Sequence, residues 1–371
     1  TKPMGMKTKT VCMLTICFFM LSCAKKVDEA DGKEIYVKKT SKECKLNDLY
    51  SDFEILTLKT GDEGVFRGIN KLMIHDGCYY ILDKTGKRRV LVFDADGKYK
   101  HSIGNAGKGK GEYVNIEDFT IDKENRRVVI LAYPSTVYVY NLDGSFVQSK
   151  KIEKNTMLWN IASYANGFIC STNHMTYTEG KHAFLFYFFD KDFGFTDKQI
   201  PVLPRQMQIP PLVSNVFNET DGGEYIYFDV YDSSVYTINA DGRISVSKKK
   251  LVLDNYMPYE KFANTSEFMS EQSKYDYFFR AVYADGQLHS YFASKNRLYG
   301  MVTDLKSNSV EAFRYVGWMP DLLYQKDGVI YSSVSVRQVM ENRELFGQNQ
   351  IDSIRNQSND LILKFRCKAR D

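Results

Sequence analysis

The sequence predicts an all-β chain folded as a six-bladed β-propeller of four-stranded antiparallel blades. Three observations carry this. A strand-like segment meets a tight polar turn six times, at His75-Asp76-Gly77, Lys123-Glu124-Asn125, Ala165-Asn166-Gly167, Thr220-Asp221-Gly222, Ala284-Asp285-Gly286 and Lys326-Asp327-Gly328. Second and third strand-like runs follow every turn, and a fourth follows in all units but the last; four-stranded units recurring at roughly 40–50 residues mark a propeller. The strand missing from the sixth unit is available at the other end of the chain, in Phe53–Leu58. Borrowing it closes the ring and removes two open sheet edges.

The elements follow in order. The first strands are the runs that enter the six turns. Second strands are expected at Tyr79–Leu82, Val128–Leu131, Phe168–Cys170, Tyr225–Phe228, Leu288–Tyr291 and Val329–Tyr331. Third strands are expected at Val90–Phe93, Val137–Tyr140, Phe184–Phe189, Val235–Ile238, Leu298–Met301 and Leu361–Phe365. Phe184-Leu-Phe-Tyr-Phe-Phe189 has no polar alternation, so it reads as buried on both faces. Fourth strands are expected at Tyr99–Ile103, Phe146–Ile152, Phe195–Ile200, Ile244–Leu253 and Val310–Val316. The turns before them include Asp96-Gly97, Asp143-Gly144 and Asp241-Gly242. Asp-Gly and Asn-Gly between apolar runs signal hairpins because glycine takes the positive φ of tight turns. Composition agrees: 26 Tyr and 24 Phe against 8 Pro favour sheet, and 371 residues supply an ample core.

In a meander the 1–2 and 3–4 turns share one side, while the 2–3 loops and the links between blades share the other. The long segments 104–115, 173–182, 201–214, 254–276 and 335–358 all belong to the second side. Pro258 begins one expected helix, because Pro suits a first helical turn, and Arg337–Ile354 holds another.

The N-terminus is expected to lie outside the fold. Lys7 and Lys9 precede a short apolar run, Val11–Leu21, that ends in Leu21-Ser22-Cys23. A basic region and a short apolar core mark a secretory signal, and the run is far below the roughly 20 residues needed to span a bilayer. Its ending resembles a bacterial lipobox, which makes Cys23 the expected lipidation site. The expected organisation is a signal peptide over 1–22, a tether and lead-in over 23–50, and the propeller over 51–371. The formal charge of +4 owes three of its cations to Lys2, Lys7 and Lys9; without them the chain is nearly neutral. Nothing then points to nucleic acid. Cys44, Cys78, Cys170 and Cys367 remain after the signal, widely spaced and without C-x-x-C. An even count in an exported chain permits disulfides. Cys78 and Cys170 hold equivalent positions after a turn, which suits buried thiols.

The stretch Gly104 to Asp122, with Gly107-Lys-Gly-Lys-Gly-Glu-Tyr113 at its centre, resembles the signature of six-bladed β-propeller lipoproteins of Bacteroidota, similar to the wider NHL and TolB-like propellers. Lys110 replaces the usual Pro. The resemblance implies a lipid-anchored protein of the cell envelope, at the outer membrane, on its surface or its periplasmic leaflet. It implies no particular activity. The Gly spacing also loosely matches a phosphate cradle, but such loops lead into a helix N-terminus and this one joins two strands.

Counting back seven residues from the last turn residue gives Asn70, Asp118, Asn160, Asn215, Phe279 and Asp321. All are expected where inner strands begin, on the insert-bearing side. Phe279 breaks the series; the side-chain oxygens of the other five would either line the pore mouth and hold Ca²⁺ or another divalent cation, sugar hydroxyls or a peptide backbone, or cap the strand starts. Arg67, Glu117, Trp159, Arg280 and Trp318 are expected at the same mouth, with Arg205 and Tyr324. The five His residues show no zinc spacing, and no Gly-x-Ser-x-Gly elbow appears. The expected function is a binding module for an oligosaccharide, peptide or partner protein with no required cofactor. The alternative is a metal-dependent hydrolase or lactonase with its site in the pore.

Overall fold

The computed structural model describes residues 33–153, 156–174, 183–202, 216–239, 245–355, 357 and 360–368. Six sheets form a six-bladed propeller. Blade 1 contains Lys71–His75, Cys78–Asp83, Arg89–Phe93 and Tyr99–Ile103, and blade 2 contains Ile116–Asp122, Arg127–Ala132, Thr136–Asn141 and Phe146–Lys151. Blade 3 contains Asn160–Tyr164, Gly167–Ser171, Ala183–Asp190 and Phe195–Val202. Blades 4 and 5 begin with Phe217–Glu219 and Asp276–Ala284. Blade 6 is built from Tyr324–Lys326, Val329–Val334 and Leu361–Cys367, with Tyr50–Leu56 as its outer strand. That closing strand is antiparallel, with Ile362 opposite Leu56 and Cys367 opposite Tyr50. It begins three residues before the expected Phe53. Leu58, expected at its end, leaves the sheet and packs between blades 6 and 1.

Residues 33–44, read from the sequence as lead-in, do more than lead in. Lys33–Tyr36 adds a fifth, parallel strand to blade 4, with Ile35 opposite Leu251. Lys39–Cys44 does the same for blade 5, with Cys44 opposite Tyr315. One N-terminal segment therefore laces the outer edges of three successive blades. Its apolar side chains hold it there, since Ile35, Val37 and Cys44 are buried.

The core is a series of clusters between blades. Val92, Phe119 and Ile130 join blades 1 and 2, and Leu131, Ile161 and Phe189 join blades 2 and 3. The cluster through blades 3, 4 and 5 also takes in Ile35, Met257, Phe262 and Phe268. Leu185 to Phe189 is buried throughout, as its unbroken apolar run requires. Gly167 is fixed by packing: at φ +154° an added Cβ would stand 1.9 Å from the Phe189 carbonyl oxygen. That contact is backbone against backbone and cannot relax cheaply.

The expected helices are present. Tyr259–Ala263 is a 3-10 turn after Pro258, and Asn264 caps Thr265–Glu271 by accepting from the Glu267 amide. Ser335 and Gln338 form a capping box at the start of Val336–Glu341, and Gln348–Ile354 follows. Of the four described cysteines, Cys44 and Cys170 are buried, and Cys78 and Cys367 partly so. No described helix is long and apolar enough to cross a membrane.

The glycine-rich segment is a blade linker. Asn105–Ala106 pairs with Glu112–Tyr113, and the Glu112 carboxylate accepts the Gly109 amide at 2.7 Å. The Tyr113 ring is buried and its hydroxyl donates to the Arg88 carbonyl. Gly111, at φ +77°, lies so close to the Phe146 ring that a Cβ would come within 2.7 Å of it. The signature is thus a plug between blades 1 and 2.

Candidate functional site

The residues expected at the insert-side mouth fall into three groups. The first is buried. Asp118, 2% exposed, accepts from Lys71 Nζ at 2.9 and 3.0 Å, and Lys71 is itself buried. The same carboxylate accepts the Phe119 amide at 2.8 Å and, from the next blade, the Ile161 amide at 2.9 Å. Lys71 also donates to the Phe119 carbonyl at 2.8 Å. Three blades therefore meet on one ion pair whose lone pairs and protons are satisfied, the condition under which buried charge is tolerated. Asn160 extends the network: its amide reaches Asp118, and its carbonyl oxygen accepts from Asn173 and Ser171. Asn173 in turn accepts from the Tyr227 hydroxyl at 2.6 Å, which carries the chain into blade 4.

The second group lies at the mouth over blades 1 to 3. Asn70 Oδ1 accepts the Lys84 amide at 2.8 Å, tying the start of an inner strand to the adjoining 2–3 loop. That loop is held from within by Asp83, fully buried, which accepts the Gly86 and Lys87 amides at 2.9 Å. Arg67 contributes its backbone amide to the same carboxylate. Lys84 Nζ pairs with Glu117 at 2.6 Å and stands 5.7 Å from the centre of the Trp159 ring. Among the described residues the buried Trp159 indole N–H has no hydrogen-bond partner.

The third group joins blades 5 and 6. Arg280 forms an ion pair with Asp321. Burial raises the Asp360 carboxyl above the usual carboxylate range, and the Asp321 charge raises it further, against a hydrogen bond from Ser333. Trp318 packs on Phe346 of the 335–358 insert. Asn215 and Arg205 lie outside the described residues, as does Cys23.

Each expected acceptor among the described residues already has a partner within the protein. Asp118 and Asn160 are committed to joining blades, Asn70 to a loop and Asp321 to Arg280. Among the described residues, no three of His, Cys, Asp and Glu gather into a group that could hold a metal ion.

Sequence reasoning did not find Lys71, Lys84, Asn173, His174 or Asp229. One signal was available: second strands of blades 1 and 4 end alike, in Leu82-Asp83 and Phe228-Asp229. Both acids are buried, and both turn inward to hold a 2–3 loop by its amides.

The turn side also has relief. Lys123 of blade 2 reaches across to Glu219 of blade 4, with both carboxylate oxygens 2.7 Å from Nζ. Cavities of about 210 and 390 Å³ flank this bridge. Tyr324, expected at the insert-side mouth, lines the larger one beside Lys326 and Gln325. It opens a three-residue inner strand that runs straight into the Lys326-Asp327-Gly328 turn. The insert side has a cavity of its own, of about 490 Å³, under the 254–276 link.

A solved structure bears out the architecture. A protein of Bacteroides fragilis NCTC 9343, described as exported, superposes with a TM-score of 0.72 at 15% identity, over 91% of this chain and 100% of that one. At that identity the likeness shows the fold alone. Streptogramin B lyase follows with a TM-score of 0.47 at 9% identity, over 86% and 99% of the two chains. BamB of Moraxella catarrhalis has a TM-score of 0.41 at 10% identity, over 73% and 71%. No curated protein matches the sequence. The family described as "Domain of unknown function (DUF4934)" matches residues 31–361, nearly the whole propeller, and the chain belongs to that family.

Proposed function

We propose that this chain is a cell-envelope propeller, held at the outer membrane by a lipid on Cys23, which binds an oligosaccharide, peptide or partner protein through its insert-bearing side. The observation that carries the reading is the placing of exposed apolar side chains. Among the described residues nine large ones are exposed; Val65, Val114, Tyr133, Met269 and Met340 belong to links or 2–3 loops, and Leu298 lies at the start of the third strand of blade 5. Val147 and Phe195 belong to the turn side, and Tyr36 to the added edge strand. Apolar surface gathered on one side of a soluble fold supports a partner-binding role there.

Part of that surface is pre-ordered. Tyr133 donates its amide to the Asn115 carbonyl at 3.1 Å, and Arg88 holds the Val114 carbonyl at 3.0 Å, so two exposed apolar groups share one braced ledge. Rigid groups lose less entropy on binding. The polar groups nearby, Lys84 with Glu117 and Arg280 with Asp321, supply an oriented rim. The described residues give the hydrolase alternative no support.

The test uses the purified full chain, a Tyr133→Asp/Met269→Asp variant and a Phe195→Asp control from the turn side. Each is passed over peptide and glycan arrays and over extract of the native envelope. Saturable binding is expected to weaken at least tenfold in the insert-side variant and to persist in the control; the opposite pattern would refute the reading. Labelling with radioactive palmitate is expected in the wild type and absent in Cys23→Ala, and labelling that survives that change would remove the anchor.

A further inference from the structure

Under the link between blades 4 and 5 lies the insert-side cavity of about 490 Å³, within the size range of small-molecule sites. Its walls include Tyr231, Tyr259 and Tyr275, and its polar groups include Asp232, Asn255 and Lys250. Behind the first two tyrosines stands His174, its ring 5.3 Å from that of Tyr231 and 5.4 Å from that of Tyr259, edge-on to both. His174 Nε2 lies 2.6 Å from Asp229 Oδ2, and Nδ1 lies 2.9 Å from the Tyr259 hydroxyl. Asp229 is fixed in turn by accepting the Tyr231 amide. A buried carboxylate therefore orients a buried imidazole, and the imidazole orients a phenol in the cavity wall.

The local sequence explains how His174 gets there. Asn173 and His174 both take positive φ, at 46° and 57°, as the chain leaves the second strand of blade 3. Asn and His enter that region more readily than most residues. The turn directs Asn173 to Tyr227 and His174 to Asp229, so two polar side chains are spent on one blade junction. Burial alone would favour the neutral imidazole, but the charge and hydrogen bond of Asp229 outweigh it and hold the His174 proton more tightly than usual. Burying an ionisable pair costs several kcal/mol before the pairing returns it, so such pairs beside a cavity merit a functional reading.

The lining narrows the ligand. Asp232 beside the wall disfavours an anion, and Lys250 disfavours a cation. Tyrosine rings offer apolar faces, while the Asp, Asn and Lys groups offer acceptors and donors together. A pyranose ring fits both, since it presents a face of C–H groups to an aromatic ring and hydroxyls that donate and accept.

We infer that this cavity is a saccharide-binding subsite, with Tyr275 as a stacking wall and Tyr259 as a polar anchor positioned by His174 and Asp229. The inference deepens the proposed binding role of the insert-bearing side and rests on it. Nothing in it requires a bond to be made or broken.

The experiment titrates the full chain with a fixed set of linear hexasaccharides: maltohexaose, cellohexaose, xylohexaose, mannohexaose and chitohexaose. At least one is expected to bind. Tyr275→Ala and, separately, Tyr259→Phe are expected to weaken it at least tenfold without moving the melting temperature appreciably. His174→Gln is expected to weaken it too, and to flatten a pH dependence of affinity that the wild type shows between about pH 6 and 8, around the ordinary histidine value. The groups facing His174 are Asp229, Asp232, Lys248, Tyr231 and Tyr259, and only His174 among them has an ordinary value inside that range. No binding by any sugar, or binding untouched in both tyrosine variants, would overturn the inference. If Tyr133→Asp/Met269→Asp still abolishes retention of an array or envelope ligand in that case, the subsite alone falls. If that variant also changes nothing, the binding-side reading falls with it.

Discussion

Replacing Asp118 with Ala is expected to lower the free energy of unfolding by about 3–5 kcal/mol, among the larger effects for one side chain in this fold. The reason is the group left behind. Lys71 Nζ is buried and would lose both carboxylate contacts, and the Ile161 amide of the neighbouring blade would lose its acceptor. An unpaired buried charge costs more than a paired one returns. The paired change Lys71→Met/Asp118→Leu is expected to recover most of the loss, because it removes both charges and refills the space with apolar groups. Urea denaturation at an unchanged slope measures both. A loss under about 1 kcal/mol in Asp118→Ala, at the level of a surface ion pair, would show that the three blades are not joined there.

The second large effect concerns closure. A chain beginning at residue 57 lacks Lys33–Tyr36, Lys39–Cys44 and Tyr50–Leu56, so blade 6 keeps three strands and an unpaired edge. It also loses Tyr50 from the junction of blades 5 and 6, where the hydroxyl meets His289 Nδ1 at 3.0 Å and the ring lies 4.8 Å from Phe365. Such a chain is expected to lose its cooperative transition and to associate through the bare edge. A chain beginning at residue 45 keeps the closing strand and is expected to stay folded and monomeric with a lower midpoint. Light scattering and near-ultraviolet circular dichroism distinguish the two. A monomeric, cooperatively folded chain from residue 57 would contradict closure by the N-terminal strand.

Most of the architecture was legible because it is repetitive and local. Six Asp-Gly-like turns fix the hairpins, and the period-two pattern fixes which residues face the core. The closing strand could be placed because a three-stranded last unit needs a partner. Lys33–Tyr36 and Lys39–Cys44 were not legible, since Lys39-Thr-Ser-Lys-Glu-Cys44 is polar and gains its strand from pairing alongside Val310–Tyr315. Edge strands of this kind take their conformation from the neighbour and carry little signal of their own.

The site was less legible for a related reason. Counting back seven residues landed within three residues of an inner-strand start at Asn70, Asp118, Asn160, Phe279 and Asp321, yet a position says nothing of the partner opposite. Asp118 meets Lys71 because blades 1 and 2 abut, and the two are 47 residues apart. His174 meets Asp229 across 55 residues and Tyr259 across 85. Tyr324 opens its inner strand, yet it lines the turn-side cavity with Lys326 and Asp327, which its position in the sequence does not reveal.

The central claim, that the insert-bearing side is the binding side, is tested most directly by site-specific photo-crosslinking in the native cells. A photoreactive residue is placed at Tyr133 or Met269 on that side and at Val147 or Phe195 on the turn side, all exposed. Crosslinked adducts are expected from the first pair and not from the second; adducts from Val147 and Phe195 alone would contradict the claim.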